Sequence, residues 1–180
     1  RSHAPVPGPR PIMKICAFLV VTSASISSAS RGGDYKINDD LTTSYYFGQL
    51  QDYYRQHFVG VQHRLLLGEG RLNTDLRYFD SNAYGANRSG DAGYGSKVDN
   101  RAISAMFTYH RSGHSLGLGR QHMSGDSAFP FINNGDGATA HLITDSQIGK
   151  FLRAEQRTWV AEYAYDFAEL NVPGLRASGK

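Results

Sequence analysis

Arg71, Asn73, Asp75 and Arg77 occupy alternate positions of one run, with Leu72, Thr74, Leu76 and Tyr78 between them. An extended chain sends successive side chains to opposite faces, so the charges share one face and the apolar groups the other. Arg64 extends the same polar parity on the preceding run, and Glu162 and Asp166 supply it within Arg157 to Phe167. Fixed cations and anions at this spacing pair with one another across a solvated face, where each pair is worth little.

Bond-breaking chemistry finds no comparable support. His110 and His114 flank a turn rather than sharing a helical face, and His122 has no carboxylate spaced to help it, so no zinc site is expected. Asn133-Asn134-Gly135-Asp136-Gly137 lacks the alternating acids and distal glutamate of a calcium loop and reads as a turn. No Gly-x-Ser-x-Gly elbow is present, and Cys16 stands alone, without an internal disulfide or a cysteine cluster. The chain is expected to be no enzyme and to carry no metal or cofactor.

The 19 basic and 16 acidic residues are scattered through 180, leaving a net charge of +3 and no basic face for nucleic acid. Twenty glycines and 11 tyrosines accompany short aliphatic runs, the composition of a two-sided sheet rather than a soluble core. No run approaches the roughly 18 apolar residues of a membrane-spanning helix. Met13-Lys14, the apolar stretch Ile15 to Val21 and the small residues after it resemble a short secretory signal, although a Pro-rich segment precedes them. Residues 1–31 therefore read as an atypical leader, signal-like or out of frame, and the fold is expected in 32–180.

From Gly33 onward the period is two. Strands are expected over 34–37, 41–50, 56–67, 71–80, 101–111, 114–123 and 157–167, with another beginning at Leu175. The last full strand places Trp159, Ala161, Tyr163, Tyr165 and Phe167 on one parity. Connections alternate between tight turns and longer loops, so the turns gather at one end of the sheet and the loops at the other. That is the meander of an outer-membrane barrel, whose aromatic outer parity meets lipid and whose polar parity meets a wet lumen. Arg64, Arg71 and Arg77 are then lumen-facing cations, Asp75, Glu162 and Asp166 lumen-facing anions, and Tyr78, Tyr109, Trp159, Tyr163, Tyr165 and Phe167 a lipid-facing belt.

Particular segments carry a resemblance. Gln51 to Phe58, Gly68 to Phe79, Val98 to Arg101, Ser124 to Phe131, Asn134 to Gly137, Gln147 to Phe151, and Tyr165 to Ala168 with Val172 to Leu175 together resemble the OprD family of outer-membrane porins, in the right order over about residues 32–180. The resemblance implies an all-β, transmembrane antiparallel barrel of the eighteen-stranded porin type, with about seven to eight strands present here, so the chain looks like a central fragment. It implies a bacterial outer-membrane location, surrounding lipid and lipopolysaccharide, a monomeric barrel, and passive transport of small carboxylate-bearing nutrients such as amino acids. The Ser124 to Gly137 segment matches a loop of the channel constriction, making Asp126, Ser127 and Asp136 the eyelet candidates. Two other readings stand beside this one. A soluble or secreted all-β ligand-binding module would pack its aromatic parity against a second sheet, and a nonfunctional truncated porin would aggregate through its edge strands.

Overall fold

A computed structural model describes residues 13–17, 21–23, 26–86, 88, 97–130, 142–144 and 151–180. Within them the chain forms one ten-stranded sheet, every pairing antiparallel. The strands are β1 (Met13–Ala17), β2 (Val21–Ser23), β3 (Ile26–Lys36), β4 (Leu41–Leu50), β5 (Tyr54–Leu67), β6 (Gly70–Ala83), β7 (Asp99–Arg111), β8 (His114–Ser124), β9 (Arg157–Asp166) and β10 (Arg176–Gly179). From β3 to β10 each strand pairs with its sequence neighbour, while β1 and β2 both pair with β3. The sheet thus contains the eight strands expected from the period of two, together with β1 and β2.

Strand β3 begins at Ile26, well before the extended piece expected from Asp34. Its small residues Ser27 to Ser30 carry no apolar alternation to reveal it, and pairing with β4, from Ser28 opposite Leu50 to Lys36 opposite Thr42, supplies what the pattern lacks.

Local chemistry fixes the turns. Asn38 accepts the Asp40 amide at 2.9 Å, an Asx-turn between β3 and β4. Beside it Lys36 reaches Asp39 at 2.6 Å and holds that exposed carboxyl below its usual range, chiefly through the hydrogen bond. Ser112 and Gly113 both take positive φ, 46° and 77°, as a two-residue hairpin with right-handed strand twist requires. At the end of β9, Asp166 caps a 3-10 turn over Phe167–Leu170 by accepting the Ala168 amide at 3.0 Å. The connections 37–40, 68–69, 112–113 and 167–175 lie at one end of the sheet, and 51–53, 84–98 and 125–156 at the other.

The two faces differ as the alternation expects. One displays Val59, Leu65, Leu76, Tyr78, Ile103, Phe107, Leu116, Leu118, Trp159 and Tyr163, all exposed. No described residue outside the sheet covers this face, whereas a soluble module would have buried it. The upper edge of the apolar band lies just past Phe47 on β4 and just past Trp159 on β9, yet Trp159 is in register with Thr43 through the strands between. A drop of about four residues across about five strand spacings is an obliquity of ~30°, near the tilt of strands in membrane barrels. The band is therefore level when the strands are tilted. The opposite face carries the buried cluster Phe79, Ala102, Met123, Phe129 and Leu142, where the loop after β8 folds back onto the sheet.

Candidate functional site

The face under that loop is the polar parity. Along β6 it presents Arg71, Asn73, Asp75, Arg77, Phe79 and Ser81, and register sets Arg77 beside Gly60 of β5 and Ser104 of β7. A glycine opposite an arginine leaves the guanidinium room to lie along the wall. Arg77 turns back onto Asp75 in a two-pronged pair, Nε to Oδ1 at 2.8 Å and Nη2 to Oδ2 at 2.6 Å, each side chain about one quarter exposed. This geometry neutralises both groups and holds them in place.

Arg64 and Arg71 are different. Both are exposed on the same face, and neither has a carboxylate within ion-pair distance among the described residues. Arg64 borders a groove with Asp39, Asp40, Asn73 and Thr108. Arg71 borders a second, nearer the short turns, with His110, Asp166 and Arg176. Glu162 of β9 lies half-buried above Gly117, where a Cβ would come within 2.4 Å of its Cγ. Asp166 shares the face, but one carboxylate oxygen is committed to the turn it caps. All six wall residues predicted from alternation thus share one face, with their charges in unequal states: Arg77 and Asp75 paired, Asp166 capping, Arg64 and Arg71 open.

The loop candidates divide as well. Asp126 is exposed. Ser127 is 3% exposed, which corrects its assignment as an eyelet group. Its hydroxyl accepts the Asp99 amide at 3.0 Å, and its own amide donates to the Asp99 carbonyl at 3.0 Å. Asn100, fully buried, donates from Nδ2 to the Ser127 carbonyl at 2.8 Å. Ser127 is therefore the clamp between the loop and the start of β7. Asp136 lies outside the described residues. Phe129 completes the attachment, its ring edge-on to Phe79 at 5.1 Å and its amide bonded to the Leu152 carbonyl at 2.9 Å.

Asn100 is the residue that sequence reasoning passed over. It precedes the visible alternation, which starts at Arg101, and only its place in Val98 to Arg101 marked it. Ser127→Ala is expected to cost about 1–3 kcal/mol, the penalty for stranding a buried amide. Heat-modifiability on semi-native gels would detect the loss, and an unchanged transition would show that the clamp is dispensable.

Four of the belt aromatics, Tyr78, Tyr109, Trp159 and Tyr163, share the outer face with Tyr165. Phe167 sits beyond the strand end in the 3-10 turn, with its ring edge-on to Tyr165 at 4.9 Å, so it extends the belt from a turn.

A family model described as outer membrane porin, OprD family, matches residues 14–179 and so takes in β1 to β3. Porin-like protein GalP of Pseudomonas putida is 30% identical over 145 residues, covering 80% of this chain and 33% of that protein. Porin D of Pseudomonas aeruginosa is 31% identical over 151 residues, with the same two shares of 80% and 33%. Among solved structures, Pseudomonas aeruginosa OccK8 (OprE) superposes with a TM-score of 0.77 at 53% identity, over 83% of this chain and 42% of that one. OccK5 (OpdH) of the same organism gives 0.75 at 39% identity, over 83% and 39%. The chain spans about one third of the length of the curated relatives it matches. Those relatives are porins, which are channels rather than enzymes.

Proposed function

The chain belongs to the OprD family of outer-membrane porins, and from that premise we propose that its polar face is part of the wall of a passive channel selective for small carboxylate-bearing nutrients such as amino acids. The observation that carries this reading is the pair of open, exposed arginines, Arg64 and Arg71, on the face that bears the loop. A carboxylate drawn to one guanidinium must also be able to leave it. Exposed cations with hydrogen-bonding neighbours meet that condition better than a cation locked into a carboxylate. Arg77 and Asp75 then shape the wall instead of trading partners with the solute. Glu162, Asp166 and Asp126 are the acidic counterpart that keeps the passage from trapping an anion, and Asp136 is assigned to the same group from the loop motif. Lipid is the partner of the aromatic face, and the barrel acts as a monomer.

The test uses the full-length barrel carrying this sequence in planar bilayers with a gradient of a small carboxylate salt. Arg64→Gln combined with Arg71→Gln is expected to lower carboxylate permeability relative to chloride about tenfold, the lower end of the effect that charged, narrow sites exert on ion entry. No channel steps, or a permeability ratio unmoved by the double substitution, would overturn the proposal.

A further inference from the structure

The outer face is not uniformly apolar. Immediately above the band, on its loop side, β7, β8 and β9 carry Arg101, Arg120 and Arg157 together with His122. Register makes these neighbours: Arg157 is opposite His122, Arg120 is opposite Trp159 in the next row down, and Arg101 is opposite Ser124 in the row above. All three arginines are exposed. Among the described residues one carboxylate answers them, Asp80, at 3.5 Å from Arg101 Nε. Arg120 and Arg157 have no ion-pair partner among the described residues. The Nδ1 of His122 is buried and has no hydrogen-bond partner among the described residues. Trp159 is 65% exposed, and the Arg120 guanidinium sits 5.2 Å from its ring centre, which fixes the level as interfacial because tryptophan concentrates where hydrocarbon meets headgroups. At the turn end the outward Arg111 is paired with Glu69. Open cations thus collect at the loop end of the band.

We propose that Arg101, Arg120 and Arg157, with His122, form a binding site for the phosphate groups of phosphorylated glycolipid of the lipid A type in the outer leaflet. Guanidiniums engage phosphate oxygens in parallel pairs of hydrogen bonds, and three of them across adjacent strands match a headgroup that bears more than one phosphate. Charge complementarity and depth select this occupant. The patch lies where lipid headgroups meet the barrel wall, on the side of the long loops, which in outer-membrane barrels is the cell exterior. The inference needs only the membrane setting and stands apart from the channel reading.

The test is native mass spectrometry of the full-length detergent-solubilised barrel titrated separately with bisphosphorylated lipid A, dephosphorylated lipid A and inorganic phosphate. Arg120→Gln is expected to weaken binding of bisphosphorylated lipid A about fivefold, and the triple Arg101→Gln, Arg120→Gln, Arg157→Gln on the order of a hundredfold, following the usual increment per cation at an anionic bilayer surface. Arg111→Gln, at the other end of the barrel, should leave it unchanged. Single-channel conductance of each variant verifies that the barrel is assembled, since none of these side chains faces the lumen. Equal affinity in the triple variant, or equal binding of the dephosphorylated lipid, overturns the site. Inorganic phosphate binding as tightly as the lipid overturns the choice of ligand.

Discussion

Leu76→Arg is expected to destabilise the full-length barrel by about 2–4 kcal/mol, the cost of a cation on the lipid face near mid-depth. Leu76 is 41% exposed in the sheet. If that surface met water, the substitution would be among the mildest available, within about 0.5 kcal/mol. Leu72 and Tyr78 bracket it on β6, so it sits inside the apolar band, and a guanidinium there must strip its hydration or drag water into hydrocarbon. Thr108→Arg provides the contrast. Thr108 is on the adjacent strand but on the opposite parity, beside Asn73 and Gly117, where an added cation remains wet. It should alter conductance while costing under about 1 kcal/mol. Urea unfolding in phospholipid vesicles would measure both, and equal costs for the two substitutions would dispose of the assignment of faces.

Gly125→Ala is expected to detach the loop from the wall. Gly125 has φ of +104°, and a Cβ there would stand 2.3 Å from the carbonyl oxygen of Asp99. The backbone conformation alone is worth about 1–3 kcal/mol of strain for alanine. The clash cannot be relieved by a rotamer, because the obstacle is main chain, and that main chain is the one Ser127 clamps. Gly174→Ala separates the two effects, since Gly174 has φ of +86° with nothing within 4 Å of its Cβ position. Amide hydrogen exchange at Asp99 and Ser127 should accelerate about a hundredfold or more in Gly125→Ala, the equivalent of about 3 kcal/mol of lost protection. Should Gly125→Ala prove no more harmful than Gly174→Ala, close approach to Asp99 would have no part in holding the loop.

Much of the architecture was legible because lipid and water impose a strict period of two. Arg71 to Tyr78 and Trp159 to Tyr165 announce their strands, and the pairing registers keep each of their two parities together on one face of the sheet. The period fails where side chains are small: Ser27 to Gly33 form most of β3 without any apolar signal, so pairing and not pattern defines that strand. Charge state within the site was not legible either. Arg64, Arg71 and Arg77 look equivalent in the sequence, but only Arg77 has a carboxylate two residues away that its side chain can reach back to. Ser127 was misjudged for a related reason. A serine beside an exposed Asp126 in a polar loop gives no local indication that its hydroxyl will be spent on a main-chain amide of another strand.

The clamp has a consequence for how such a passage could diversify. Ser127 and Phe129 fix one side of the loop, and Leu142, buried against Phe129, fixes another point farther along. Phe129 and Leu142 are thus two points held on the wall, and the Asn134 to Gly137 motif falls between them in the sequence. Doubling the span between two held points costs only about 0.6 kcal/mol in closure entropy. Insertions and replacements between those two points are therefore expected to carry little risk to folding, and under the proposed channel function they would change solute preference while the staves remain the same.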